Sequence, residues 1–268
     1  MVARLRGFLD NPLSGLAPWI VMAVMSGIVR FEFAVGLALA TALAILVANA
    51  VTGESPKLLE WADSGYFLIL VLVGLFADDE VRDWLRVWAD ELSNIALVVI
   101  AVGSIAIRQP FTLPYARDRV PPEVWQTPRF IRTNYVVTGA WAGAFLVAAA
   151  SGFYADYVLG DSEELWAAWI IPTAAVLCAV QFSWWYPAVV RARADAELGR
   201  PGTPAPPVSE LLAAMVAYLP LAGIVTLVFD GGPPALGVGL IVAGGVIGGR
   251  IARDRRAGPA GDESSPAG

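Results

Sequence analysis

The side chains that most often carry chemistry are scarce in this chain. There is no histidine and one cysteine, Cys178. Without imidazole there is no histidine general acid–base pair, no proximal haem ligand and no imidazole metal site. A single thiol closes no intramolecular disulfide. Asp78, Asp79, Glu80 and Asp83 are hard oxygen donors of the type that bind divalent cations. Arg82 and Arg86 interleave with them at one-turn spacing, so the group reads as a solvated, ion-paired face. Asp156, Asp161, Glu163 and Glu164 form a second acidic group without a nearby base, the ordinary composition of an outside loop. No catalytic residue, cofactor or metal site is predicted from these patterns.

The remaining polar side chains in apolar stretches are Thr41, Asn49, Gln181 and Ser183. Asn49, Gln181 and Ser183 are expected to hydrogen-bond between helices. Gly139-x-x-x-Gly143, and Gly244-x-x-x-Gly248 with Gly245 and Gly249 beside it, have the spacing that lets two helices approach without lipid between them. Whether they join helices of one chain or two copies in a homo-oligomer is open. Cys178 reads as packing.

What must position these groups follows from composition. The 268 residues are 57% apolar and 16% charged, with a mean hydropathy of +0.63. Soluble domains are about 45–50% apolar and about 25% charged. A soluble globular enzyme and a disordered chain are thereby excluded, and a net charge of −6 gives no nucleic-acid footprint. The expected fold is all-α, a polytopic transmembrane helical bundle. A span needs about 20 mostly apolar residues. Eight stretches qualify: 13–29, 33–51, 64–77, 92–107, 133–152, 165–187, 209–229 and 234–250.

Threading eight spans with both termini cytoplasmic leaves Arg30, Arg82 and Arg86 outside. The other fifteen of the eighteen basic residues are then inside, the partition expected of a multi-pass protein in its lipid bilayer. Trp166 and Trp169, then Trp184, Trp185 and Tyr186, mark the two headgroup layers of the sixth span. Residues 52–63 are expected as a short inside loop. Segment 78–91 is either an amphipathic helix on the surface or the wetted first turns of the fourth span. The domain reading is a six-span membrane domain 1–197, a Pro-rich linker 198–208, a two-span hairpin 209–252 and a disordered tail 253–268. No acid or base is expected at the span centres, which disfavours ion-coupled transport.

The most informative loop is 108–132. Five prolines forbid a long helix, and Pro122 suits the first position of a turn carrying Glu123 and Trp125. Its basic and aromatic residues form the candidate contact surface for lipid headgroups or a protein partner: Arg108, Pro110, Phe111, Tyr115, Arg117, Arg119, Pro121, Pro122, Trp125, Arg129 and Arg132.

Several motifs carry a resemblance. They are Leu16-Ala17-Pro18, Phe76-Ala77-Asp78-Asp79-Glu80 running to Trp84, and Arg108-Gln109-Pro110-Phe111-Thr112-Leu113-Pro114. Val120-Pro121-Pro122-Glu123-Val124-Trp125 follows, then Asn134 and Trp141. Over about residues 15–193 the chain resembles the bacterial intracellular septation protein A family and its inner-membrane relatives, and differs by an extra span pair and the Pro-rich linker. The resemblance implies a non-enzymatic role in cell-envelope maintenance or septation through envelope or division membrane proteins, with no catalytic residues to carry over. The alternative is a small-solute or lipid transporter with a cavity lined by Asn49, Gln181 and Ser183. Lipid-directed enzyme chemistry is a third reading, for which no constellation emerges.

Overall fold

The computed structural model describes Gly7, Leu9 and residues 12–26, 28–160 and 164–257. Among the described residues every regular element is helical. The chain divides into two compact units, Met1–Gly152 and Phe153–Gly268.

In the first unit a turn at Pro12–Gly15 leads into α1 (Ala17–Ser26), followed by α2 (Phe31–Thr52), α3 (Leu58–Phe76), α4 (Asp79–Ala106), the short α5 (Leu113–Arg117) and α6 (Pro128–Phe153). α2 buries Ala34, Val35, Ala38, Ala42, Ile45, Asn49 and Thr52. These recur every three or four residues and are mostly small, so α1 and α3 both pack closely on this helix. α1 contributes Trp19 and Met22, and α3 contributes Leu59, Phe67 and Leu70. Trp19 stacks on Tyr66 at 4.8 Å and lies 4.9 Å from Phe67. The outward faces are apolar too, with Leu37, Leu43 and Val47 on α2 and Leu68, Ile69, Leu72 and Leu75 on α3 all exposed. Such surface is a liability in water and the ordinary solvated face in lipid.

The second unit opens with a π-helical turn, Tyr154–Leu159, closed by Gly160 in the left-handed conformation (φ 66°). A second π-helical turn, Leu165–Ile170, leads into α7 (Ile171–Glu197), then α8 (Val208–Val228) and α9 (Pro234–Ala257). The Trp166 indole donates to the Gly231 carbonyl at 3.0 Å, and Trp185 donates to the Pro206 and Pro207 carbonyls at 3.2 and 3.1 Å. Both tryptophans therefore tie loops to the unit. α8 and α9 form a hairpin whose close approach requires glycine. A Cβ at Gly244 would overlap the Pro220 ring, and one at Gly223 would press on Ile241 and the Gly237 carbonyl.

Seven helices among the described residues are long and apolar enough to cross a membrane. The predicted first span differs. α1 has 10 residues, about 15 Å of helix, too short to cross alone because Pro12–Gly15 forms a separate turn. The predicted third span starts six residues early, at Leu58, so Glu60 and Asp63 lie on a helix and not in the expected loop. Segment 78–91 is the start of α4, one continuous 28-residue helix. Its N-cap is Asp78, whose side chain accepts from the Val81 amide at 3.0 Å. α6 begins at Pro128, five residues before the predicted start, and so carries Arg129 and Arg132 on its first turns. The linker ends at Pro207 as α8 begins. α9 runs to Ala257, into the stretch expected to be disordered, while residues 258–268, Arg4, Arg6, Asp161 and Glu163 lie outside the described residues.

The glycine contacts set a paired test of the α8–α9 hairpin. Gly244→Leu forces the helices apart and is expected to cost about 1–3 kcal/mol. Gly245→Leu, where an added Cβ meets nothing within 4 Å, is expected to leave stability unchanged. Thermal unfolding of the two variants in detergent checks the contrast.

Candidate functional site

The charged groups buried deepest are in the first unit, where the α2–α3 turn meets α1 and α5. Gly53, with φ 76°, ends α2 by sending its amide to the Asn49 carbonyl. Four residues later the chain enters α3. The Glu60 carboxylate reaches back to accept the Lys57 amide at 2.8 Å, the acidic half of a capping box. The same Glu60 oxygen accepts from Asn49 Nδ2 at 2.7 Å, joining α2 to α3. One turn on, Asp63 accepts from the Trp19 indole of α1 at 2.6 Å.

Lys57 is the single lysine among the eighteen basic residues. Its side chain is 7% exposed, and its ammonium pairs with Asp118 at 2.9 Å. It also donates to the Leu9 carbonyl at 2.9 Å and stands 4.5 Å from the centre of the Tyr115 ring. An ammonium has three donors and no acceptor. Here they meet a carboxylate, a carbonyl and the face of an aromatic ring. Tyr115 is itself buried, and its hydroxyl lies where any side chain at Gly15 would stand. Burial, reinforced by the negative charges of Glu60, Asp63 and Asp118, holds the Tyr115 phenol well above its ordinary range.

None of Lys57, Glu60, Asp63, Asp118, Trp19 or Gly15 was among the expected site residues. The signal was a polar stripe, Glu60, Asp63 and Ser64, continuing in helical register to Phe67 on one face. The expectation that Asn49 bonds between helices is met by an acidic partner.

The predicted contact residues fall into three sets, with Arg117 and Trp125 half-buried between the other two. Pro110, Phe111 and Tyr115 are buried. Thr112 bonds Thr138 of α6 at 2.7 Å, and the Phe111 amide donates to Ser104 of α4 at 3.1 Å. Arg108, Arg119, Pro121, Pro122, Arg129 and Arg132 are exposed. Pro122–Val124 forms a 3-10 turn, as its proline suggested. The Trp125 indole donates to the Val120 carbonyl at 3.1 Å, and the Arg117 guanidinium lies 5.5 Å from its ring centre. Arg108 adopts a left-handed backbone (φ 61°) as α4 ends, where glycine is the usual residue. The acidic group at the start of α4 is ion-paired, Asp79 with Arg82 and Asp83 with Arg86, which also holds Glu32 of α2.

Of the predicted packing glycines, Gly139 and Gly143 face open space, as do Gly245 and Gly249, while Gly244 and Gly248 face Val216 of α8. Gln181 donates to the Glu210 carbonyl at 3.2 Å. Ser183 and Thr41 bond carbonyls of their own helices. Among the described residues no group of three or more Cys, Asp or Glu side chains is arranged to hold a metal ion. Comparisons with family models, curated proteins and solved structures found no match to this chain.

Two outcomes follow from the cluster. Lys57→Met removes the pair to the partly open Asp118 and leaves the Leu9 carbonyl without its donor, and is expected to cost about 1–3 kcal/mol. Lys57→Arg is not expected to restore it, because a planar guanidinium does not fit the ring face and the Leu9 carbonyl together. Thermal unfolding in detergent measures both. Tyr115, protonated in the fold and held above its unfolded value, contributes stability that is complete below about pH 10. That contribution is lost as pH rises from there through the raised folded value. Tyr115→Phe is expected to flatten this alkaline decline in unfolding temperature.

Proposed function

We propose that this chain is a non-enzymatic multi-pass protein of the bacterial inner membrane, and that its 108–132 segment is a fixed contact surface for a partner in envelope maintenance or septation. Its membrane character rests on seven apolar helices. The observation that carries the contact surface is how the segment is held. Phe111 and Tyr115 sink into the first unit, Asp118 pairs with the buried Lys57, and Thr112 is bonded to α6. Arg108, Arg119, Arg129 and Arg132, around these anchors, stay exposed. Loops this long are uncommon unless functional, and a surface already ordered loses little entropy on binding. Arg108 supports the same reading. A non-glycine residue in left-handed backbone costs about 1–2 kcal/mol, a strain that a purely structural role would remove by substituting glycine.

The cytoplasmic side is assigned by the arginine partition, and the septation role by the resemblance of the 108–125 motifs. A small-solute transporter is the second reading. It gains from Glu60 and Asp63, two buried acids on the first turns of a candidate span, in residues expected to be a loop, since ionisable groups within a span usually mark function.

The test joins topology to capture. A fluorescent-protein fusion after Pro121 is expected to be active and an alkaline phosphatase fusion inactive; the reverse removes the orientation and the surface with it. A photo-crosslinker at Val124 is expected to give a discrete adduct in living cells. Joint replacement of Arg119, Arg129 and Arg132 by alanine should abolish the adduct while insertion persists. An unchanged adduct counts against the basic surface. Solute uptake into liposomes above an empty-vesicle background favours the transporter.

A further inference from the structure

The hydrogen bonds of the buried cluster leave four polar atoms over. Asn49 Oδ1, Glu60 Oε1, Asp63 Oδ2 and the Tyr115 hydroxyl are each buried without a hydrogen-bond partner. Their residues are at most 1% exposed. The four come from three elements that meet. Glu60 and Asp63 are one turn apart on α3, close enough to face the same ligand. Asn49 is bonded to Glu60 from α2. Tyr115 of α5 sits near enough to feel both carboxylates. A structure rarely tolerates one such orphan, since each costs about 1–3 kcal/mol.

Charge is also unbalanced. Lys57 spends its ammonium on Asp118. Glu60 and Asp63 receive only neutral donors, the Lys57 amide, the Asn49 amide and the Trp19 indole. Among the described residues no second cation faces them. A proton shared between the two carboxyls supplies one hydrogen bond and cancels one of the two charges. A water molecule bridges several atoms but brings no charge. A cation coordinated by oxygen answers both deficits at once.

We propose that Asn49 Oδ1, Glu60 Oε1, Asp63 Oδ2 and the Tyr115 hydroxyl form a buried binding site for a small hard cation. The donor set is all oxygen, with two carboxylates, one amide carbonyl and one phenol. Sodium, magnesium and calcium prefer such ligands, and the softer transition metals, which favour nitrogen and sulfur, do not. The sequence suggested no metal site at this turn because only two acids stand there, and a carbonyl and a phenol complete the set. The site stands independently of the contact surface and of either function above.

The experiment uses the full-length protein purified in detergent and stripped with chelator into choline chloride. Unfolding temperature is followed on titration with sodium, potassium, magnesium or calcium chloride at constant ionic strength. Retention of 22Na+ or 45Ca2+ is measured alongside. The expected result is a saturable rise with sodium, magnesium or calcium, and about one ion retained per chain. In Asp63→Asn retention is expected to fall at least tenfold, with helicity and elution volume unchanged. Should Asp63→Asn not fold, Tyr115→Phe, which removes one ligand and no charge, is expected to weaken retention severalfold. Sodium alone identifies a monovalent site, magnesium or calcium a divalent one. No cation-specific rise and no retention overturns the proposal and leaves protons and water to satisfy the cluster. Retention that survives in both Glu60→Gln and Asp63→Asn places the ion elsewhere and overturns it equally.

Discussion

Much of the first unit turns on a single ammonium group. A lysine side chain taken out of water is tolerated only when its donors are met and its charge is opposed. Lys57 meets that requirement with three groups far apart in sequence: the Leu9 carbonyl before α1, the Tyr115 ring in α5, and the Asp118 carboxylate just after it. Satisfying one cation thus draws the segment before the first helix, the α2–α3 turn and the middle loop to one place. An arginine would carry the same charge, and the chain uses arginine at every other basic position. Here it uses the compact ammonium, with three donors that can turn to three different partners.

Around that cation the acidic groups divide their work. Asp118 balances the charge and remains partly open. Glu60 and Asp63 are enclosed and serve as acceptors that join helices, α2 to α3 and α3 to α1. In a nonpolar surrounding such bonds have no water to compete with them. They also fix helix rotation, because each needs one face of α3 turned inward. That same rotation sends Leu68, Ile69, Leu72 and Leu75 outward. Polar groups inside and apolar groups outside are therefore one geometric decision.

The helical class and most helix positions were legible because apolar length is a local property. Glu60 and Asp63 were misplaced for a related reason. Charge in a short window ends a hydropathy run, so the helix seemed to start at Ser64. Helical spacing across Glu60, Asp63, Ser64 and Phe67 held the contrary evidence, but no single position announced it. Tyr115 and Phe111 show the complementary limit. Their size and setting in a proline-rich loop marked the segment as special, yet their inward direction depends on partners in α1, α3 and α4. Gly244 and Gly139 have the same spacing motif, and only the hairpin around Gly244 brings another helix against it. First-span length was overread because residues 13–29 were counted as one apolar run, while the helix breaks at Leu16.

The uninterrupted α4 has a mechanical consequence. Its 28 residues measure about 42 Å, against a hydrocarbon layer of about 30 Å. Tilt alone absorbs that excess only at about 45°, beyond the usual range. The salt-bridged N-terminal turns therefore stand clear of the acyl region as a rigid post, latched to the head of α2 through Arg86 and Glu32. A thicker bilayer would swallow part of the post and a thinner one would bare more of it.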